Sequence, residues 1–259
     1  DAQESRGLGD VYKRQAQRRI IRLAQTDSTN RYLKEHCVDL PDGTVCYTDC
    51  QQEGRGRLGR CWVVPPHTSL ALSVLVSPDG PVRLLPLICG VAAAQAIEKT
   101  AGLPAYIKWP NDIVCNNRKV CGILCEGGVK DGRRYAVAGI GINLSQTLED
   151  MQRAGLEHAA SLAMLTGRKI GVEDMARELI AAFDRVWDDT VRAGNDGMLR
   201  VYRKACLTLG RPVKVLAAEP WQGTAVDIDE EGNLLVEADG KCRAVCAGEV
   251  SVRGLYGYV

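Results

Sequence analysis

The stretch QQEGRGRLGR, Gln51 to Arg60, sets Arg55, Arg57 and Arg60 among Gly54, Gly56 and Gly59. Guanidinium forks grip carboxylates and phosphates through paired N–H groups, and glycines let backbone N–H groups close on the same anion. Trp62 stands beside them and offers a flat surface for a nucleobase. With only Glu53 to compensate the arginines, the loop is expected to stay poorly ordered until an anion arrives. The glycines also spell G-x-G-x-x-G, but a dinucleotide fingerprint must open a helix whose N-terminus holds the pyrophosphate. Here RCWVVPPHTS follows, with two prolines and β-branched residues, and it starts no helix. The Gly-Lys-Ser/Thr ending of a Walker loop is missing too. A basic patch for nucleic acid is the other reading, and one Phe with no second dense basic cluster speaks against it.

A second cluster lies in IKWPNDIVCNNRKVCGILCEG, Ile107 to Gly127, where Lys108, Trp109, Asn111, Asp112, Lys119 and Glu126 interrupt an apolar run. Asn116 and Asn117 suit a tight turn, which would fold the Asp112 and Lys119 regions together. Charges in apolar strands are costly unless they pair or bind something. Asp112 and Lys119 therefore either neutralise each other or serve a ligand. One chemistry uses both clusters: condensing a carboxylate with ATP to an acyl-adenylate. Two anions must meet, and fixed cations with Mg²⁺ must screen their repulsion. No covalent nucleophile is needed, and no G-x-S-x-G elbow or obvious Cys–His pair is present. The eleven cysteines include no C-x-x-C, and His36, His67 and His158 stand far apart, so no tightly bound structural metal is expected. Reduced thiols in a cytoplasm fit that pattern.

The elements that would carry these residues are short strands and a few helices. Asp27, Ser28 and Thr29 are candidate caps for a short helix bearing Tyr32 and Leu33. GTVCYTDCQQ alternates as a strand, and TSLALSVLVS reads as a strand covered on both faces. Leu84 to Ala101 is a buried helix, whose nearly apolar run, Leu84 to Ile97, is interrupted by Pro86 and Gln95 and too short to span a bilayer. AYIKWPNDIV, KVCGILCEGG and YAVAGIGINL read as strands, the last with glycines that admit a close approach to the backbone. Val172 to Arg192 is the clearest amphipathic helix. Past Leu209 short β-runs suggest a small barrel-like module.

The 259 residues therefore divide into a polar extension (1–19), which lacks an initiator Met, a catalytic domain (20–207) and a C-terminal module (208–259). Lys plus Arg is 33 against 32 acids, so no global field draws the chain to DNA or membranes. No signal peptide opens the chain.

Five stretches together, STN (Ser28–Asn30), QQEGRGRLGR, KWPND (Lys108–Asp112), KVCGIL.E (Lys119–Glu126) and GIGIN (Gly139–Asn143), resemble the motifs of the biotin protein ligases in order and spacing. The resemblance runs from residue 20 to the C-terminus. It implies an α/β (α+β) fold: a mixed central sheet flanked by helices, like class II aminoacyl-tRNA synthetases and lipoate ligases, plus an SH3-like C-terminal domain. It implies two steps, in which biotin and MgATP give biotinyl-5′-AMP and the biotinyl group then passes to a lysine of the biotin carboxyl carrier protein of acetyl-CoA carboxylase. Ser28, Thr29, Asn30 and Gln51 would line the biotin ureido pocket, and Arg55, Gly56 and Arg57 would close over biotin and the adenylate phosphate as a lid. Lys119, beside Gly122, would contact the biotin carboxylate and share catalysis with Arg57. Trp62 and Asn143 would hold adenine. Arg60, Lys108, Asn111 and Asp112 would hold the phosphates, with Asp112 facing Mg²⁺. The resemblance also implies a homodimer through an edge of the sheet. Its first motif begins at Asp27, which leaves no room for a winged-helix DNA-binding head, so neither DNA nor a membrane is an expected partner. A lipoate or octanoate ligase or transferase, or a non-enzymatic biotin- or nucleic-acid-binding protein, are the alternatives.

Overall fold

The computed structural model describes residues 18–62, 65–217 and 219–247, with 251–254 as backbone; most of the polar extension and the extreme C-terminus lie outside the described residues. In chain order come β1 (Ile20–Arg22), α1 (Thr29–Glu35), β2 (Val45–Thr48), β3 (Gly54–Arg55), β4 (Cys61–Trp62), β5 (Ser69–Val76) and α2 (Leu85–Ala101). There follow β6 (Tyr106–Lys108), β7 (Asp112–Cys115), β8 (Arg118–Lys130), β9 (Arg133–Asn143), α3 (Leu148–Arg153), α4 (Leu162–Thr166), α5 (Val172–Ala193) and α6 (Asp196–Ala205). The last five are β10 (Pro212–Leu216), β11 (Trp221–Ile228), β12 (Leu234–Ala238), β13 (Lys241–Val245) and β14 (Ser251–Gly254).

Alternation along two long strands decides which face of the central sheet becomes core and which becomes site. Successive side chains on a strand point to opposite faces. Leu70, Leu72, Val74 and Val76 of β5, with Ala136, Ala138, Ile140 and Ile142 of β9, enter the main core beneath α2 and α5. The intervening positions carry small or polar residues: Ser69, Ala71 and Ser73 register against Asn143, Gly141 and Gly139. Further along that face, Leu75 and Val137 meet Leu33 and Cys37 of α1 and its following turn. The sheet runs β1-β2-β5-β9-β8-β7-β6, antiparallel apart from the β1–β2 pair.

α2 is apolar enough, with its lead-in from Val82, to cross a membrane by length and composition, yet it is mostly buried in the fold. It is the core helix, packed between the sheet and α5. Each fully buried Leu or Ile along it contributes about 1.5–3 kcal/mol of apolar transfer.

Two expectations need correction. AYIKWPNDIV is not one strand but two, β6 and β7, pairing Tyr106 with Val114 and Lys108 with Asp112 across a turn at 109–111. Pro110 has no N–H for a ladder, and Asn111 turns inward instead: its carbonyl accepts from Ile123 N–H at 2.9 Å and its Nδ2 donates to Ile123 O at 3.1 Å. The C-terminal strands form a five-stranded antiparallel sheet, β13-β12-β11-β10-β14. Among the described residues β14 pairs with β10 and not with β13, so hydrogen bonds do not close it into a barrel.

The expected Asn116–Asn117 turn is present, with φ of 48° and 60° and Cys115 paired to Arg118, a two-residue hairpin of the type asparagine favours. The two sheets share one apolar core, which Val213, Val215, Leu234 and Val236 enter from the C-terminal side. Trp109 locks the 109–111 turn to that side: its Nε1 donates to Gly232 O at 3.1 Å and its backbone N–H to Thr208 Oγ1 at 3.0 Å.

Candidate active site

The arginine loop is a small hairpin. β3 and β4 pair Gly54 with Trp62 and Arg55 with Cys61, and a 3₁₀ turn over Arg57–Gly59 joins them. The guanidinium of Arg57 finds acceptors within the protein. Its Nη1 donates to Asn111 Oδ1 at 3.0 Å and its Nη2 to Ala247 O. The loop thus touches the 109–111 turn and the turn after β13 at once. Burial, followed by repulsion from Arg60, holds the Arg57 guanidinium below its ordinary value, against the pull of Asp112 and Cys246. An arginine stays charged under such conditions, so an incoming anion relieves the strain of gathering these cations.

Trp62 lies flat on the floor of the site. Gly122 and Gly141 face each other across β8 and β9, and the indole occupies the space that side chains would need. A Cβ on Gly141 would stand 2.9 Å from Trp62 Cε2, and one on Gly122 would stand 3.0 Å from Cζ3. Above the indole is Lys119, with Nζ 5.7 Å from the ring centroid. Trp62 Nε1 is buried without a hydrogen-bond partner among the described residues, a donor available to a ligand.

Lys119 Nζ also meets Asp112 Oδ1 at 2.5 Å, with side chains 24% and 16% exposed. The hairpin through Asn116–Asn117 makes this meeting, as its turn geometry implied. The backbone of Lys119 anchors the opposite wall: its N–H donates to His158 O at 2.9 Å, and its carbonyl accepts from Ala160 N–H at 2.9 Å. Asn143 reinforces that wall, donating to Ala160 O at 3.2 Å and accepting from Gln146 Nε2 at 3.0 Å.

At the other end sits the start of α1, which Ser28 caps by accepting from Arg31 N–H at 3.4 Å. Thr29 N–H donates to Gln51 Oε1 at 3.0 Å. Asn30 is buried against Gly139, whose missing side chain makes room: a Cβ there would fall 2.3 Å from Asn30 Oδ1. Beneath them Ser73 Oγ reaches Asn30 Oδ1 at 2.6 Å and Thr29 Oγ1 at 2.7 Å.

One cavity of about 680 Å³ joins these parts, a size that suits a small ligand with a nucleotide. Ser28, Thr29, Asn30, Gln51, Arg55, Gly56, Arg57, Arg60, Trp62, Lys108, Asn111, Asp112, Lys119, Gly122 and Asn143 all line it. The Lys119–Asp112 ion pair and a shared cavity are therefore both present. Sequence reasoning missed the wall at 155–159, which carries no chemical pattern, and it missed Ser73. The alternation of Ser69, Ala71 and Ser73 against Leu70, Leu72 and Val74 was the available signal for Ser73.

Residues 23–143 match the Biotin/lipoate A/B protein ligase family, and residues 208–253 match the Biotin protein ligase C terminal domain. The Biotin--[acetyl-CoA-carboxylase] ligase of Mycobacterium tuberculosis is 30% identical over 244 residues, 90% of this chain and 88% of that protein. The chain belongs to the biotin protein ligase family. The Bifunctional ligase/repressor BirA of Bacillus subtilis is likewise 30% identical over 235 residues, 89% of this chain and 72% of that protein. A biotin protein ligase from Aquifex aeolicus, solved in complex with biotin and ATP, superposes with a TM-score of 0.79 at 27% identity, covering 91% of this chain and 99% of that one. Biotin protein ligase membership thus rests on both parts of the chain, and the five motifs meet on the site face of the larger.

Proposed function

We propose that this chain activates biotin with ATP and transfers the biotinyl group to one lysine of the biotin carboxyl carrier protein of acetyl-CoA carboxylase. The observation that carries the reading is the single cavity in which the arginine hairpin, the Lys119–Asp112 pair and the polar start of α1 face one another. The Ser28 to Asn30 end, with Gln51, takes the ureido ring. The valeryl chain runs on from there toward Gly122 and brings the biotin carboxylate to Lys119. Arg55 and Gly56 close over it. Trp62 and Asn143 take the adenine end, and Arg57, Arg60, Lys108 and Asn111 take the phosphates.

In the first step a carboxylate oxygen of biotin bonds to the α-phosphorus of ATP and the bond to pyrophosphate breaks. Lys119 leaves Asp112 for the incoming carboxylate, and the guanidinium groups stabilise charge on the phosphoryl oxygens. In the second step the neutral ε-amine of the carrier lysine attacks the anhydride carbonyl, AMP departs with its electron pair, and the amine gives up one proton to solvent as the amide forms. Holding the anhydride under the Arg57 hairpin keeps water from it.

Among the described residues no group of three or more His, Cys, Asp and Glu forms a metal cage. Asp112 offers one carboxylate, which fits a Mg²⁺ that keeps its waters and arrives on nucleotide phosphates. Bound there, the ion would neutralise phosphate charge.

The cytoplasm supplies ATP and keeps exposed thiols such as Cys61 reduced. Two copies pair along β8, which β7 covers only as far as Gly122; a ligand-loaded chain of monomer mass in light scattering would count against that pairing.

Mass spectrometry of a carrier domain incubated with this protein, biotin and MgATP tests the function. The expected result is one added biotinyl group on a single lysine, absent without ATP. An unmodified carrier, or one modified equally with lipoate in place of biotin, contradicts it.

A further inference from the structure

Beneath the start of α1, a chain of polar atoms admits one consistent order of protons. Glu126, on β8, bonds Lys34 Nζ through Oε1 at 2.7 Å and the Asn30 amide through Oε2 at 2.7 Å. A carboxylate only accepts, as does Leu124 O, 3.2 Å from the same Asn30 nitrogen. That nitrogen is therefore Nδ2, with both of its hydrogens engaged. Asn30 Oδ1 is left facing Ser73 Oγ, and at 2.6 Å it takes the Ser73 proton. Ser73 Oγ also stands 2.7 Å from Thr29 Oγ1. Two oxygens so close repel unless a hydrogen lies between them, and Ser73 has already committed its own. The Thr29 hydroxyl must supply it. Gln51 Oε1, at 3.3 Å from Thr29 Oγ1, is served by the Thr29 N–H at 3.0 Å and does not need that hydrogen. Thr29 Oγ1 thus turns only lone pairs toward the cavity.

We propose that Glu126 is a positioning residue which, through Asn30 and Ser73, fixes the Thr29 hydroxyl as a hydrogen-bond acceptor and so selects a ligand ring that presents an N–H there. The inference rests on the reading of this end of the cavity as the ureido pocket. Glu126 acts from outside that cavity, on the wall of a neighbouring one of about 640 Å³, where Lys34, Asn30 and the field of Arg55 act on its carboxylate. Burial pushes its carboxyl up, but the Lys34 and Asn30 hydrogen bonds and the charges of Lys34 and Arg55 outweigh it and keep the carboxyl below the usual value. The negative end of the relay is therefore permanent at neutral pH. A site whose buried polar groups require a ligand N–H rejects an isostere lacking it, because the pocket atom is left unpaired.

Glu126→Gln undoes the order for a defined reason. The Lys34 ammonium only donates, so it takes the new amide oxygen and leaves the amide NH₂ facing Asn30. Asn30 must then turn its oxygen outward, and the Thr29 proton is released to the cavity.

The test is biotin-dependent pyrophosphate release, compared with release supported by cyclic carbamate analogues in which a ring oxygen replaces one or the other ureido N–H. The unaltered chain is expected to prefer biotin over one of the two carbamates by about a hundredfold or more in kcat/KM. In E126Q the KM for biotin rises about tenfold with kcat little changed, and the preference falls by about tenfold or more. Lys34→Gln, which loses a contact to the same carboxylate but leaves its charge, keeps the preference. A preference in E126Q equal to that of the unaltered chain overturns the proposal. So does an equal fall in Lys34→Gln, which marks a merely structural effect. If E126Q fails to fold, Ser73→Ala interrupts the relay elsewhere, and an unchanged preference there overturns it just as well. Absence of any biotin-dependent release by the unaltered chain is a separate failure, that of the ureido reading itself.

Discussion

Lys119→Gln is expected to slow adenylate formation about a hundred- to a thousand-fold, the usual loss when one preorganised stabilising donor is removed from developing charge. Glutamine keeps much of the length and a donor but not the charge. Lys119 is the cation that both halves of the site share: it pairs with Asp112 at 2.5 Å and stands over the Trp62 ring at 5.7 Å. With the ammonium gone, the approaching carboxylate meets the α-phosphate unscreened, and Asp112 adds a half-buried negative charge of its own. The effect should therefore fall on kcat, with a smaller change in the KM for ATP. Single-turnover formation of biotinyl-AMP in the presence of excess MgATP reads it. A rate within a few-fold of the unaltered chain would remove Lys119 from the reaction.

Arg57→Gly is expected to release biotinyl-AMP into solution, where it labels bystander lysines. The guanidinium of Arg57 is the clasp of the hairpin, binding Asn111 Oδ1 at 3.0 Å and the Ala247 carbonyl just past β13. Hydrogen bonds to a charged group contribute about 1.5–3 kcal/mol each. Loss of even one thus raises the escape rate of the intermediate about ten- to a hundred-fold. Biotin incorporation into an unrelated protein, followed by mass spectrometry, reports the leak. Retention equal to that of the unaltered chain would show that the hairpin is no lid.

The chemistry of this site was legible because its residue types are out of place. Arginines among glycines, and Lys119 and Asp112 inside apolar strands, mark a ligand before any fold is known. Sequence gave less access to what the fold joins over long separations. Glu126 meets Asn30 and Lys34 across more than ninety positions, and no local pattern announces the pairing. The 109–111 turn was hidden because Ile107, Trp109, Ile113 and Val114 read as one apolar run; the break depends on Asn111 bonding the Ile123 backbone. The clasp of the arginine hairpin was hidden as well, since its acceptor Ala247 O lies past β13, far along the chain. The hairpin at Asn116–Asn117 was the easy case, a turn written in its own two residues.

Exchange of labelled pyrophosphate into ATP measures the first chemical step alone, without a carrier protein. The expected result is exchange that requires biotin and falls about a hundred- to a thousand-fold in Lys119→Gln. Exchange that proceeds without biotin, or none at all with biotin and MgATP both present, would mean that the cations of this cavity do not bring a carboxylate and a triphosphate together.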